Sequence, residues 1–183
     1  MASGTIYLFF LGIELLITFF VTIYLLSLLY SSFNGAPFVP SSNNDFEETL
    51  AKAFLKKDQL FLELGSGDGR VVSTAVKKYQ VRGIGIEISP LLVWYSRFLA
   101  KIKKINYIEF RQENIYKTDI SKADVIYMFL MPKMLEKLKD KLSKEAKKGA
   151  LIISHGFRIH GWEKILIMKE QRKLFSSFFY KKC

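Results

Sequence analysis

Three acids and three glycines carry the chemistry that can be read from this sequence. The stretch Phe61-Leu-Glu-Leu-Gly-Ser-Gly-Asp-Gly-Arg70 puts Gly65, Gly67 and Gly69 at alternate positions, with Glu63 before them and Asp68 among them. A short apolar strand precedes this turn and a helix follows, the setting of a nucleotide-binding loop. Glycine permits the tight turn and lets ligand atoms come close to the backbone. A dinucleotide loop spaces its glycines G-x-G-x-x-G and receives a pyrophosphate at the helix N-terminus. Here the third glycine comes one residue early, and Asp68 stands where the anion would bind. Such a loop repels phosphate and welcomes a cation, such as a methionine sulfonium with its ammonium group. Glu63 adds to that bias.

The third acid, Glu87, ends Gly83-Ile-Gly-Ile-Glu87, 22 residues after Gly65. At a strand tip its two oxygens can accept both hydroxyls of a ribose. After a third strand, Gln112-Glu-Asn-Ile115 is placed to flank an adenine. A glycine turn alone is often only a turn, and a lone Glu after a strand is usually a solvated end. The joint spacing of Glu63, Gly65, Ser66, Gly67, Asp68, Gly69, Glu87, Ile88, Asn114 and Ile115 predicts an S-adenosylmethionine site.

Methyl transfer from a sulfonium is an in-line displacement in which positioning supplies most of the rate. An amine acceptor must be neutral to attack. No residue announces itself as the base, so no catalytic residue is assigned. Tyr127, Met131 and Pro132 lie at or beyond the end of the fourth strand, where an acceptor approaches; packing under the next helix suits them equally. His155 reads as an ordinary loop histidine after the fifth strand, and Trp94 and Tyr95 as packing for their helix against the sheet. With His155 and His160 the only histidines and Cys183 the only cysteine, no metal site and no disulfide framework is expected. There is no G-x-x-x-x-G-K-[ST] loop. The segment Leu130-Met-Pro-Lys133 lacks the Asn/Asp-Pro-Pro-aromatic pattern of base-amine methylation.

The elements that must position these residues alternate. A short amphipathic helix spans Asp45 to Lys56, and strands are predicted at Leu60–Leu64, Gly83–Ile88, Tyr107–Phe110, Ala123–Leu130 and Ala150–Ser154. Helices are predicted at Arg70–Tyr79, Pro90 to about Lys103 with Ser89 as N-cap, and Pro132 to about Lys147. Lys164–Lys169 and Leu174–Tyr180 read as a closing strand pair joined at Glu170–Lys173. Strands alternating with helices give a doubly wound, Rossmann-like α/β sheet of seven strands, one late strand antiparallel.

Residues 1–30 read as a transmembrane anchor. From Thr5 to Tyr30 the only charged side chain is Glu14, and as a helix the run would reach ~39 Å, enough to span a bilayer with some tilt. No basic residue precedes it, unlike a signal peptide, and Arg is absent before Arg70, unlike a transit peptide. Residues 31–44, rich in Ser, Asn, Gly and Pro, read as a linker, and 45–183 as the enzyme domain. The 183 residues hold 28 Lys and Arg against 17 Asp and Glu, a net +11, and 50% hydrophobic residues, which excludes a disordered chain. All 28 cations and 16 of the acids lie from Asp45 onward. Lys133, Lys137, Lys141, Lys144 and Lys148 give a cationic helix face, usually just solvated, though on a tethered domain anionic lipid also suits it. Nucleic acid is not an expected partner for an anchored domain.

Glu63-Leu-Gly-Ser-Gly-Asp-Gly-Arg-Val-Val72 with Gly85-Ile-Glu-Ile-Ser-Pro-Leu-Leu-Val-Trp-Tyr-Ser-Arg97 resembles the class I, seven-β-strand methyltransferases. More narrowly, the chain is similar to the membrane-anchored protein-lysine methyltransferases of the ATP synthase c-subunit and the adenine nucleotide translocase, and to their prokaryotic relatives. Pro37-Phe-Val-Pro-Ser41, Val125–Met134 and Ser154-His-Gly-Phe157 carry this likeness, which spans Pro37 to Trp162. The eukaryotic members usually have Asp where Glu63 stands and Asn-Pro where Ser89-Pro90 stands. Phe129-Leu-Met-Pro132, where acceptor specificity is usually set, differs most. The resemblance implies methyl transfer to a lysine of a membrane-associated protein. The cofactor puts the domain on the cytoplasmic side, or at the mitochondrial inner membrane in a eukaryote. Two alternatives stand: a lipid or small membrane-soluble acceptor, and a non-catalytic cofactor-binding assembly factor.

Overall fold

A computed structural model describes residues 2–33, 43–171 and 175–183. Its strands are β1 Leu60–Leu64, β2 Arg82–Glu87, β3 Ile108–Gln112, β4 Val125–Met128, β5 Leu151–Gly156, β6 Leu166–Glu170 and β7 Ser176–Lys181. They form one sheet in the order β3-β2-β1-β4-β5-β7-β6. β1 to β5 run parallel, and β7 is inserted antiparallel between β5 and β6. The predicted seven-stranded α/β sheet with one antiparallel strand is thus observed. The chain turns outward from β1 in both directions, so strand order reverses between β1 and β4. A crevice opens at the carboxyl ends of the strands at such a point.

The helices are α1 Ala2–Phe33, α2 Asn43–Lys52, α3 Arg70–Tyr79, α4 Pro90–Ile102 and α5 Pro132–Glu145. Strand alternation decides which face each side chain meets. In β1, Phe61 and Glu63 face α3, while Leu62 and Leu64 join the core under α5. On α5, Met134, Leu135, Leu138 and Leu142 are buried at helical spacing. Each large apolar side chain fully buried this way contributes roughly 1.5–3 kcal/mol. The opposite face of α5 is solvated and locally paired: Lys141 bonds Glu145, Lys139 lies 3.9 Å from Glu136, and Lys133, Lys137 and Lys144 are exposed.

Several predicted boundaries shift for backbone reasons. α2 stops at Lys52, short of the expected Lys56, and Phe54 just beyond it adopts a left-handed φ of 48°. β3 starts at Ile108 because Tyr107, expected as its first residue, has φ 61°. β5 runs two residues further than expected and takes in His155. The packing role expected for Trp94 and Tyr95 is overturned, since they are 62% and 42% exposed. Their helix turns Val93, Ser96 and Ala100 inward, small residues that let it lie close to the sheet.

α1 contains the span Ile6–Leu26, none of it buried and with mean hydropathy 2.3, long and apolar enough to cross a membrane. Of the segment read as a linker, residues 34–42, including Pro37-Phe-Val-Pro-Ser41, lie outside the described residues, as do residues 172–174, the end of the expected strand connection and the expected first residue of the last strand.

Candidate active site

The turn after β1 is left-handed at every glycine: φ is 78° at Gly65, 55° at Gly67 and 74° at Gly69. Side chains are excluded by space as well. A Cβ on Gly69 would lie 2.4 Å from the Phe110 ring, and one on Gly85 2.8 Å from Ser66 Oγ. Gly65 and Ser66 N–H groups both donate to the Ile86 carbonyl, which ties the turn to the end of β2.

Glu87 is the hub of the site. It is 7% exposed, and its Oε2 accepts from Gly67 N at 3.0 Å while Oε1 accepts from Ser89 N at 2.9 Å. Its carbonyl accepts from Glu113 N at 3.1 Å, which brings the loop after β3 to the same place. Each carboxylate oxygen keeps a second lone pair, so two ribose hydroxyls can still be accepted. Three segments far apart in sequence, 65–69, 87–88 and 113–115, therefore converge. Ile115 is buried and Ile88 half-buried beside them. Asn114 sits at this point too, with its Oδ1 accepting from Tyr116 N at 2.9 Å.

The amides that a dinucleotide loop offers to phosphate are already taken. Arg70 N donates to Asp68 Oδ1 at 3.2 Å and Val72 N to Glu63 Oε2 at 2.9 Å. The N-cap Gly69 has no side chain, so Glu63 reaches from β1 to cap α3 in its place. Two helix-terminal donors held by carboxylates leave a poor anion site, as the sequence argument requires. The acids are less freely negative than the sequence suggested, however. Asp68 is clasped by the Arg70 guanidinium, which donates to both carboxylate oxygens. Burial pushes the Glu63 carboxyl well above its ordinary range, against the lowering by the Val72 amide; repulsion from Asp68 and Glu87 adds to the rise. Ser66 Oγ, 5% exposed, has no hydrogen-bond partner among the described residues. A bare glycine cradle, a hub carboxylate and few free amides fit a sulfonium-bearing nucleoside better than a pyrophosphate.

The region around the ends of β4 and β5 is built differently. Tyr127 is fully buried and stacks on Phe61 with centroids 6.2 Å apart, so it packs the core and does not line the crevice. Met131 is 44% exposed at the N-cap of α5, with Pro132 at the helix start. His155 is no loop histidine: it is fully buried in β5, its Nδ1 2.9 Å from Ser177 Oγ, which lies 2.8 Å from Thr49 Oγ1. The Phe129 ring packs edge-on against both His155 and Phe175, at 4.9 and 5.0 Å. Sequence reading missed this cluster because its members come from α2, β5, β7 and the residues just after β4 and just before β7. No group of His, Cys, Asp and Glu able to hold a metal occurs among the described residues.

A family model described as the ANTKMT methyltransferase domain matches residues 63–165. A protein-lysine N-methyltransferase of Saccharolobus islandicus is 36% identical over 138 residues, 73% of this chain and 84% of that protein. The human lysine N-methyltransferase of the ATP synthase c-subunit is 32% identical over 127 residues, covering 69% of this chain but only 54% of that protein. An RNA methyltransferase from Salinibacter ruber, solved with S-adenosyl-L-homocysteine, superposes with a TM-score of 0.75 at 30% identity, over 78% of this chain and 93% of that one. The chain belongs to the ANTKMT methyltransferase family and is an S-adenosylmethionine-dependent methyltransferase.

Proposed function

We propose that this enzyme is held in a membrane by α1 and transfers methyl to a lysine of a protein in or beside that membrane. One observation carries the reading: a wholly exposed apolar span, Ile6–Leu26, precedes a domain whose relatives are named as lysine methyltransferases of proteins, among them of the ATP synthase c-subunit. A tether raises the effective concentration of any target in the same bilayer. The cofactor's needs place the domain on the cytoplasmic side, or in the mitochondrial inner membrane of a eukaryote.

S-adenosylmethionine supplies an electrophilic methyl on a sulfonium. Glu87 binds and orients the nucleoside, while the glycine turn gives it room. Glu63 and Arg70 hold the turn and Asp68 in place. Phe129 and Met131, at the end of β4, border the path of the incoming amine, which must arrive neutral. We also propose Gly65, Ser66, Gly67, Gly69, Ile88, Asn114 and Ile115 as cofactor contacts.

The test uses the purified full-length chain, radiolabelled S-adenosylmethionine and membranes of the source organism, with Glu87→Ala as control. Label in a discrete small protein, absent in the control and mapped to lysine, supports the reading. Label in lipid overturns the acceptor and keeps the cofactor. Label in RNA favours the acceptor class of the Salinibacter neighbour. Cofactor binding without transfer favours the non-catalytic alternative.

A further inference from the structure

α4 has two faces of opposite character. Toward the sheet it presents Val93, Ser96 and Ala100, with Ser96 Oγ donating to the Gly67 carbonyl at 3.1 Å. Away from the sheet it presents Trp94, Tyr95, Phe98 and Ile102, exposed by 62, 42, 48 and 60%. Trp94 and Phe98, one helical turn apart, stack with centroids 5.6 Å apart and planes 7° from parallel. A soluble helix puts its polar residues on this face, and an apolar patch left in water marks an interaction site. Lys101 in its last turn and Lys103 and Lys104 just beyond it are all exposed.

Two features choose the occupant. Trp and Tyr among aliphatic residues, with lysines at one end, match the boundary between acyl chains and anionic headgroups. In addition, α1 comes into contact with α4, so the domain helix that meets the one carrying the apolar span is the helix with the exposed aromatic face. We propose that α4 is a membrane-interface helix. Trp94, Tyr95, Phe98 and Ile102 enter the headgroup–acyl boundary of the bilayer that α1 crosses, and Lys101, Lys103 and Lys104 meet anionic headgroups.

This inference rests on the anchored reading of the enzyme and adds an orientation to it. α4 also holds the cofactor loop through Ser96, and Tyr95 lines a groove together with Asp68 and Arg70. Docking through α4 therefore fixes the orientation of the glycine turn relative to the bilayer.

The chain has two tryptophans, Trp94 and the buried Trp162, so fluorescence can test the contact directly. The full-length chain is reconstituted into vesicles of phosphatidylcholine and phosphatidylglycerol, with a fraction of lipid brominated near the headgroup end of the acyl chain. Flotation after alkaline extraction reports whether α1 is integrated. The expected result is at least a two-fold loss of the Trp94 component with brominated lipid, little quenching by iodide, and no such component in Trp94→Phe. The Phe98→Glu/Ile102→Glu variant should bind S-adenosylhomocysteine as the parent does, yet expose Trp94 to iodide. A chain that does not float with the vesicles overturns the anchored reading and this inference with it. A chain that floats with Trp94 open to iodide and untouched by bromine overturns the inference alone. Shielding from both quenchers means that a second copy or another protein covers the face, and also overturns it.

Discussion

Two halves of the domain are held together by different forces. On the cofactor side, backbone amides converge on carboxylates: Gly67 and Ser89 on Glu87, Val72 on Glu63. Where β5 meets β7, rings pack on rings, Phe129 against His155 and Phe175, over a polar string from His155 through Ser177 to Thr49. The glycine-turn half holds fixed dipoles, and we propose that they face one invariant ligand. The ring cluster is held by shape, which changes with every large side chain.

If the halves are independent, substitutions should separate cofactor binding from stability and transfer. The largest effect is expected from Glu87→Ala, which removes two charge-assisted hydrogen bonds of about 1.5–3 kcal/mol each and the ribose acceptor. Affinity for S-adenosylhomocysteine should fall at least ~100-fold by calorimetry. A smaller loss would mean that the glycine turn holds its shape without Glu87.

Gly69→Ala comes next. Its Cβ would press on Phe110 at a φ of 74°, and strain plus overpacking of roughly 1–3 kcal/mol each should lower the melting temperature and weaken cofactor binding together. Ser177→Ala strikes the other half. It takes a partner from buried His155 and Thr49, at a cost of about 1–3 kcal/mol in denaturant unfolding, while cofactor affinity should stay within about two-fold. A parallel loss of affinity would show that the halves are coupled.

The smallest effect concerns Glu63. Its folded pKa is raised, so the folded state holds the proton more tightly than the unfolded chain. That contribution is complete below the ordinary glutamate range and is lost as pH rises through the folded value. Glu63→Gln keeps an acceptor for Val72 N and should flatten the fall of melting temperature as pH rises above the ordinary glutamate range. An unchanged profile would place the proton elsewhere.

How far the sequence carried depended on the range of each interaction. The alternate glycines and the Glu87 spacing were readable because each states a local requirement: positive φ in a turn, an acid at a strand tip. The start of α4 was readable for the same reason, since Ser89 accepts from Leu92 N and Pro90 opens the helix. Glu63 was recognised as part of the site, but not as the cap of α3, because its partner lies across a sheet–helix contact. Arg70 stood next to the motif, yet only the turn's geometry folds its guanidinium back onto Asp68.

The sequence by itself determined the class of sheet, the cofactor loop and the apolar N-terminal span, all of which rest on short-range backbone preference and periodicity. Tertiary structure alone decided that His155 is buried, that Tyr127 belongs to the core and that Trp94 faces outward. Thr49 and Ser177 meet across 128 residues, a pairing fixed by where α2 and β7 settle on the sheet. Helical periodicity similarly divides α4 into two faces without saying which one meets the sheet. Packing answers that: the sheet accepts Ser96 and Ala100 at close range, and the aromatic rings are left on the outside.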